Sequence, residues 1–413
     1  MAHVLARYRT LPRNVRLYLM ASLLRAFNFQ VAAIAMNLYL HAAGLGAPMI
    51  GMLNGLPAIA NLIFGAPFGR LGDRYGFRRL FLFGAVVAPL AAIGIAWSTA
   101  PALLVALAFV QGIGSTTGWV MATPFLSLET PRERLVEVLS LNSALMGVVG
   151  VAGSLIAGVL PTLAGHLLGL RPESVVPLRW TYSVGGLVAL SSLPFLYAIR
   201  EVRPAKAQVR RPAGETGPRR ANLGLMARLL LVDALIALGA GMMVPFFQLF
   251  FYLRFRFSTA SIGLVFALGA VISSAATMIA PRLTRRFGTI RTTIWTQLGS
   301  LPFLGFLAWV GSAPLAVASY WLRGSLMNMA SPAYAAFEME MVPAEQRGFL
   351  SGLQAVFGGM GRGGIGPLVS GYLQERGGFG PAFSLTLAFY ALSSALAWWF
   401  FGRRARRPAP SES

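Results

Sequence analysis

Apolar stretches of about 20 residues or more recur along the chain, separated by short breaks rich in Arg, Gly and Pro. A stretch of that length spans the hydrocarbon core of a bilayer as a helix. The pattern predicts twelve helices, at 16–43, 47–69, 80–98, 101–127, 135–161, 179–199, 223–253, 259–281, 290–311, 314–337, 347–373 and 379–402. The long polar interruption "REVRPAKAQVRRPAGETGPRRAN", 200–222, is rich in Pro and Arg and reads as a flexible linker. The expected organisation is therefore a six-helix bundle over 1–199, a linker over 200–222 and a second six-helix bundle over 223–413. The basic start "MAHVLARYRTLPRNVR" does not resemble a signal peptide, because the first apolar run is too long and no small-residue cleavage site follows it.

The halves repeat. Gly51, Arg70, Arg74 and Gly76 match Gly263, Arg282, Arg286 and Gly288 at an offset of 212, and Pro131 and Glu133 match Pro343 and Glu345 at the same offset. A repeat that starts on the same side in each half is a parallel repeat about an axis along the membrane normal. The repeat also decides the reading of "FGGMGRGGIGP", 357–367, which fits G-x-G-x-x-G twice. Gly361 and Gly364 correspond to Gly150 and Gly153 of helix 5, so the stretch lies inside helix 11 with no strand before it. Glycines inside a helix cost about 1 kcal/mol each in water. Within lipid they let two backbones approach closely, so close packing is expected here and a dinucleotide loop is not.

Composition narrows the class. The chain is 56% hydrophobic and 12% charged, where a soluble domain carries about 25% charged residues, so most of it belongs in lipid. The lack of cysteine excludes disulfides and thiolate metal sites, and His3, His41 and His166 are too far apart to form a metal cluster. A net charge of +22 raises the question of nucleic acid, but no soluble segment is long enough to form a basic domain. The charge is topological instead. The side holding both ends, the linker and the even-to-odd loops carries 27 Lys and Arg residues, against 5 on the other. Positive loops stay cytoplasmic, so both termini are expected inside a cell (inner) membrane, with a monomer as the working unit.

"GAPFGRLGDRYGFRR", 65–79, resembles the G-x-L-a-D-R-x-G-R-R signature between helices 2 and 3 of the major facilitator superfamily. Gly69, Leu71, Asp73, Arg74, Gly76, Arg78 and Arg79 fit, and Phe77 replaces an arginine. The second copy, "PRLTRRFG" at 281–288, lacks the aspartate, while "TPRERLVEVLSLN" and "VPAEQRGFLSGLQ" look like the family's loops before helices 5 and 11. The resemblance covers nearly the whole chain. It implies an all-α membrane protein of two pseudo-symmetric six-helix bundles that rock about a central site. Helices 1, 4, 7 and 10 would line the cavity, and Gly69, Asp73, Arg74, Gly76, Arg78 and Arg79 would gate the cytoplasmic side. The chain departs from the family's proton-coupled drug exporters in two places. Ala108 stands where R-x-x-Q-G would have its arginine before Gln111 and Gly112, and helix 5 lacks the glycine–proline pair, which occurs as Gly366-Pro367 in helix 11.

An ionisable residue deep in a span costs about 2.5–3.5 kcal/mol to insert and marks a functional candidate. Those residues are Arg25, Asp233, Arg323 and Arg362, with Glu129 and Glu338 near inner helix ends. At about 100° per residue, Arg25 and Asn28 share one face of helix 1, and Gln30, Asn37 and His41 another. Gln111, Ser115 and Trp119 share a face of helix 4; Asp233, Gln248, Ala237, Ala240 and Gly241 a side of helix 7. Arg323, Ser331, Tyr334 and Glu338 fall on one arc of helix 10. The repeat places Arg25 and Asp233 at similar depth, which predicts a pair that forms and breaks during transport. Arg323 and Arg362 have no carboxylate at their depth, so either backbone carbonyls and water satisfy them or they hold an acidic group of the substrate. No nucleophile–base or metal constellation suggests an enzyme, and no cofactor beyond a proton gradient is expected. The leading expectation is export of small amphipathic organic compounds coupled to protons through Asp233 or Glu338. The alternative is an organic-anion transporter that uses Arg25, Arg323 and Arg362.

Overall fold

The computed structural model describes residues 11–201 and 223–402. The linker expected at 200–222 therefore falls, apart from its first two residues, outside the described residues. Among those residues the chain is helical without strands and forms twelve spans. These are α1 (Arg13–Ala42), α2 (Ala47–Tyr75), α3 (Phe77–Trp97), α4 (Pro101–Glu129), α5 (Arg132–Leu168) and α6 (Val175–Leu190, prolonged by Leu193–Tyr197) in the first half. The second half has α7 (Leu223–Met243, continued as Phe247–Phe255), α8 (Thr259–Phe287), α9 (Thr289–Trp309), α10 (Ala313–Asn328 and Ser331–Met341), α11 (Ala344–Gly359 and Gly366–Gly377) and α12 (Phe379–Phe401). By length and composition alone, eight helices suffice to cross a membrane. Of the remaining four spans, α6, α10 and α11 are divided, and α9 carries Thr292, Thr293, Thr296, Gln297 and Ser300 along its length.

The expected single helices at 179–199, 223–253, 314–337 and 347–373 are each interrupted beside a proline, Pro194 in the first of them. Proline removes an amide donor and crowds the carbonyl four residues back. Pro245 lies in a 3-10 turn, Val244–Phe246, that divides α7. Pro332 stands at the start of the second segment of α10, after Met329 and Ala330. Pro367 follows a π-helical turn, Met360–Ile365, in α11, where three glycines let the ladder widen. One consequence is a correction: helical phase does not carry from Arg323 across the break to Ser331, Tyr334 and Glu338.

The repeat appears in the backbone. A single glycine separates α2 from α3 and α8 from α9, and Gly76 and Gly288 have φ of +89° and +82°. Only glycine adopts that conformation without strain. Pro131 and Pro343 begin α5 and α11 with the same backbone angles, and each accepts a bond from the amide three residues on. The chain divides into two compact units. One comprises Met1–Glu215 with Phe251–Ala267, and the other Thr216–Phe250 with Leu268–Ser413.

In the first unit α4 packs between α2 and α3, and α1 packs on α5 and α6. Tyr18, Phe77, Phe81 and Phe125 form an aromatic core near the starts of α1 and α3 and the end of α4, with Tyr18 centred 5.2 Å from both Phe81 and Phe125. In the second unit α12 packs on α7 and α9. Its hydroxyls reach α7 carbonyls: Ser393 Oγ donates to Val232 O at 2.9 Å and Thr386 Oγ1 to Gly239 O at 3.1 Å.

Candidate functional site

Polar chemistry in the second unit converges on Asp233, in the first segment of α7. Gln354 Nε2, from α11, donates to Asp233 Oδ2 at 2.8 Å. Glu338, from α10, lies within hydrogen-bonding reach of the same carboxylate. Tyr334, one turn before Glu338, is an electrostatic neighbour of both acids. Glu338 is 4% exposed, and the buried Tyr334 hydroxyl lies within hydrogen-bonding reach of its carboxylate. The bed is apolar: Met226, Leu229, Val232, Ile290, Ile294 and Leu350 surround Tyr334 in one core. Within this unit no guanidinium lies at ion-pair distance from either acid, among the described residues. Two carboxylates side by side away from water repel strongly, and a proton between them removes that repulsion and adds a donor.

Arg323 lies elsewhere in the unit. It is 4% exposed, its guanidinium stands 5.2 Å from the Phe247 ring centre, and its Nε and Nη1 are buried with no acceptor. Gln248 is buried and donates to Pro245 O at 2.7 Å, so it serves the 3-10 turn of its own helix. Arg362 is exposed within the π-helical turn of α11. The glycines of that turn do what the sequence suggests. A Cβ on Gly361 would stand 2.8 Å from Ala237 Cβ and 2.9 Å from Leu238 N, and one on Gly366 would stand 2.7 Å from Gly241 Cα. The small residues of α7 thus face α11 at backbone contact.

In the first unit Arg25 sits twelve residues into α1, about 18 Å along its axis. Its guanidinium lies against the bare α-carbon of Gly118 in α4, where any side chain would collide with it. The titratable group in electrostatic reach is Tyr18, and the unit offers Arg25 no carboxylate and no hydrogen-bond acceptor among the described residues. Asn28 lies one turn on, its Oδ1 buried and unpartnered beside α6 at Gly185. Gln111 Nε2 approaches Tyr182 OH at 3.4 Å, and Ser115 Oγ returns to Gly112 O at 3.0 Å. Asn37 is fully buried and accepts from Asn54 Nδ2 at 2.8 Å, a clasp between α1 and α2. Gln30 is held on α5 by Gly150 O at 2.9 Å and Ser154 Oγ at 3.2 Å, and exposed His41 meets the Tyr252 ring edge-on. Arg25 and Asp233 belong to different units, and each has its neighbours within its own.

The signature turn is built around Gly76. Arg78 stacks 4.6 Å above Tyr197, at the end of α6, and Arg74 stands 5.2 Å from the Tyr75 ring. Arg74 and Arg79 are exposed, and Gly69 passes Val120 of α4 at ordinary contact distance. The Asp73 side chain lies outside the described residues. Glu201 occupies the space a side chain at Gly76 would need, which leaves its carboxylate over the uncapped start of α3. Asn14, at the start of α1, joins this end together: its Nδ2 donates to Glu129 Oε1 at 2.9 Å and to Arg200 O at 3.2 Å. Gln354, Gly118 and Glu201 were not among the residues singled out in the sequence. Each is a polar or small residue whose role depends on which helix it meets.

Comparison with known proteins places this architecture. The family model for the Major Facilitator Superfamily matches residues 18–363 and 234–413. The tetracycline resistance protein, class H, of Pasteurella multocida is 27% identical over 269 residues, 63% of this chain and 64% of that protein. The chain thus spans slightly under two thirds of that relative. The multidrug resistance protein MdtL of Escherichia coli O81 is 28% identical over 169 residues, 41% of this chain and 39% of that one. Among solved structures, a bacterial homologue of the human lysosomal transporter Spinster superimposes with a TM-score of 0.77 at 15% identity, covering 96% of this chain and 99% of the other. At that identity the likeness shows the fold. The twelve spans, the repeated glycine turns and the matched residues together make this chain a multi-pass membrane transporter that belongs to the Major Facilitator Superfamily.

Proposed function

We propose that the protein is a secondary active exporter of small amphipathic organic compounds, driven by protons that bind and leave the Asp233–Glu338 pair. The observation that carries this reading is the meeting of two acids from α7 and α10 with Gln354 from α11, all neutral partners otherwise. Taking up a proton relieves the repulsion between the acids; losing it leaves two charges in an apolar bed. Proton occupancy therefore biases how α7, α10 and α11 pack, which gives an alternating-access cycle an element to act on. The names of the two sequence relatives, for resistance to tetracycline and to multiple drugs, support the direction of transport. The arginine-rich loops support a cell-membrane location with both termini cytoplasmic. A monomer carries both acids and needs no partner beyond lipid and the compound transported.

The test uses proteoliposomes with pyranine trapped inside. Outward-driven compounds should release protons into the lumen with the native protein. Asp233→Asn and Glu338→Gln should each abolish compound-dependent proton movement. Native rates in both variants, at every imposed gradient, would overturn the reading.

The second reading, organic-anion transport, is favoured by the two unpartnered nitrogens of buried Arg323. It requires Arg323→Ala and Arg362→Ala to lose affinity for acidic compounds and leave cationic dyes unaffected.

A further inference from the structure

Two aromatic rings stand exposed beside the unpaired cation of the first unit. Phe29, one helical turn beyond Arg25 on α1, is 62% exposed, and Trp119, next to Gly118 on α4, is 70% exposed. Their ring centres are 6.5 Å apart at 75°, an edge-to-face pair. The guanidinium of Arg25 lies on Gly118, so cation and rings bound one patch between α1 and α4. α1 spends its other faces on α5 and α6, and α4 spends its own on α2 and α3. A guanidinium without a counter-ion does not face hydrocarbon, where it would cost several kcal/mol. The patch it borders is therefore wet, and the rings exposed there are offered to something other than lipid.

Resting on the transport reading above, we propose that this patch is a subsite for an aromatic acid: a planar ring stacked against Phe29 and Trp119, its carboxylate or comparable anion paired with Arg25. Three features of the patch select that chemistry. The planar guanidinium presents parallel N–H donors that suit a carboxylate better than a neutral polar group. The rings favour a flat π-system over an aliphatic body of equal size, because edge-to-face and offset stacking add to burial. Gly118 is the one residue that admits the guanidinium at this place on α4, since any Cβ would displace it. A lipophilic cation, by contrast, would meet an uncompensated positive charge.

The experiment is binding of tritiated 1-naphthoate to the purified, detergent-solubilised protein, with two competitors of matched shape. 1-Naphthamide keeps the ring and lacks the charge; decahydro-1-naphthoate keeps the charge and lacks the π-system. The native protein should prefer 1-naphthoate to 1-naphthamide by about 10-fold or more, as a charged hydrogen bond allows. It should prefer it to decahydro-1-naphthoate by about 3- to 10-fold, the range of aromatic stacking. These comparisons need no variant. Arg25→Gln should lower naphthoate affinity about 10-fold and leave naphthamide within about 2-fold, while Arg25→Lys keeps the preference for the acid. Trp119→Leu should remove the preference for the aromatic over the saturated acid.

Equal affinity of the native protein for naphthoate and naphthamide, or no naphthoate binding at all, overturns the subsite. So does an Arg25→Gln variant that weakens both ligands alike. Proton movement by the native protein separates this proposal from the coupling mechanism. If naphthoate binding keeps its preferences while no compound moves protons in the native protein, the subsite stands and the coupling mechanism falls. If protons drive other compounds and naphthoate shows no preference, the reverse holds.

Discussion

Gly361→Ala adds one methyl where α7 and α11 touch. The new carbon would stand 2.8 Å from Ala237 Cβ, 2.9 Å from Leu238 N and 3.0 Å from Ala237 C. Carbon atoms rest at about 3.5–4.0 Å, so the helices must separate by roughly 1 Å locally. Two of the three atoms struck are backbone, and no rotamer change moves them aside. Overpacking of this kind costs about 1–3 kcal/mol, against a gain of about 1 kcal/mol from replacing glycine with a better helix former. The net expectation is a loss of about 0–2 kcal/mol. Gly359→Ala, in the same helix with nothing within 4 Å of its added carbon, carries the gain without the collision and should be neutral or stabilising. The two variants should therefore differ by about 2 kcal/mol, close to a 30-fold change in the folded ratio. Reversible unfolding of the purified protein in mixed micelles, titrated with SDS and followed by tryptophan fluorescence, measures that difference. Ala237→Gly in the Gly361→Ala background removes the carbon that is struck and should recover part of the loss. Equal midpoints for Gly361→Ala and Gly359→Ala would refute the claim that backbone contact between α7 and α11 is why these glycines are there.

Three further outcomes follow from single contacts. Gly288→Ala, at φ +82° with open space around it, should cost only the backbone strain, about 1–3 kcal/mol; Gly76→Ala should cost more, because it also displaces Glu201, and unfolding midpoints of the two variants compare them. Asn37→Ala leaves Asn54 Nδ2 with only its Ile50 O acceptor and should lower stability by about 1–3 kcal/mol, with Asn37→Asp/Asn54→Ala not restoring it, read by the same titration. Arg323→Met removes a buried cation with two unpartnered nitrogens and should raise thermal stability in anion-free buffer; a clear loss would mean that the guanidinium is satisfied.

The parts legible in the sequence are those written in short range or in repetition. Twelve apolar runs were countable because each must cover the same thickness of hydrocarbon. The single-glycine turns at Gly76 and Gly288 were legible because their spacing repeats and their backbone admits little else. The breaks in α7, α10 and α11 had signals in Pro245, Pro332 and Pro367, but whether a proline kinks, divides or merely starts a segment depends on what neighbours can fill the gap. Asp233 and Glu338 each stood out as costly ions. Their meeting did not, because it needs the crossing of α7 and α10, and Gln354 looked like any polar residue of an inner helix end. Arg25 was conspicuous, whereas Gly118 became meaningful only once α4 lay across from it.

The repeat itself separates scaffold from chemistry. Positions whose role is geometric agree between the halves: Gly76 with Gly288, Pro131 with Pro343, each at an offset of 212. The ions within the spans do not. Arg25 corresponds to Ala237, the residue that Gly361 must approach, and Asp233 corresponds to Ala21. One half keeps an unpaired cation beside open aromatic rings; the other keeps two acids among neutral donors. A duplicated bundle that only had to fold would have no reason to lose its symmetry at these positions, each of which costs insertion energy. Buried ions that differ between the halves are what a carrier requires if one half holds its cargo and the other its driving proton.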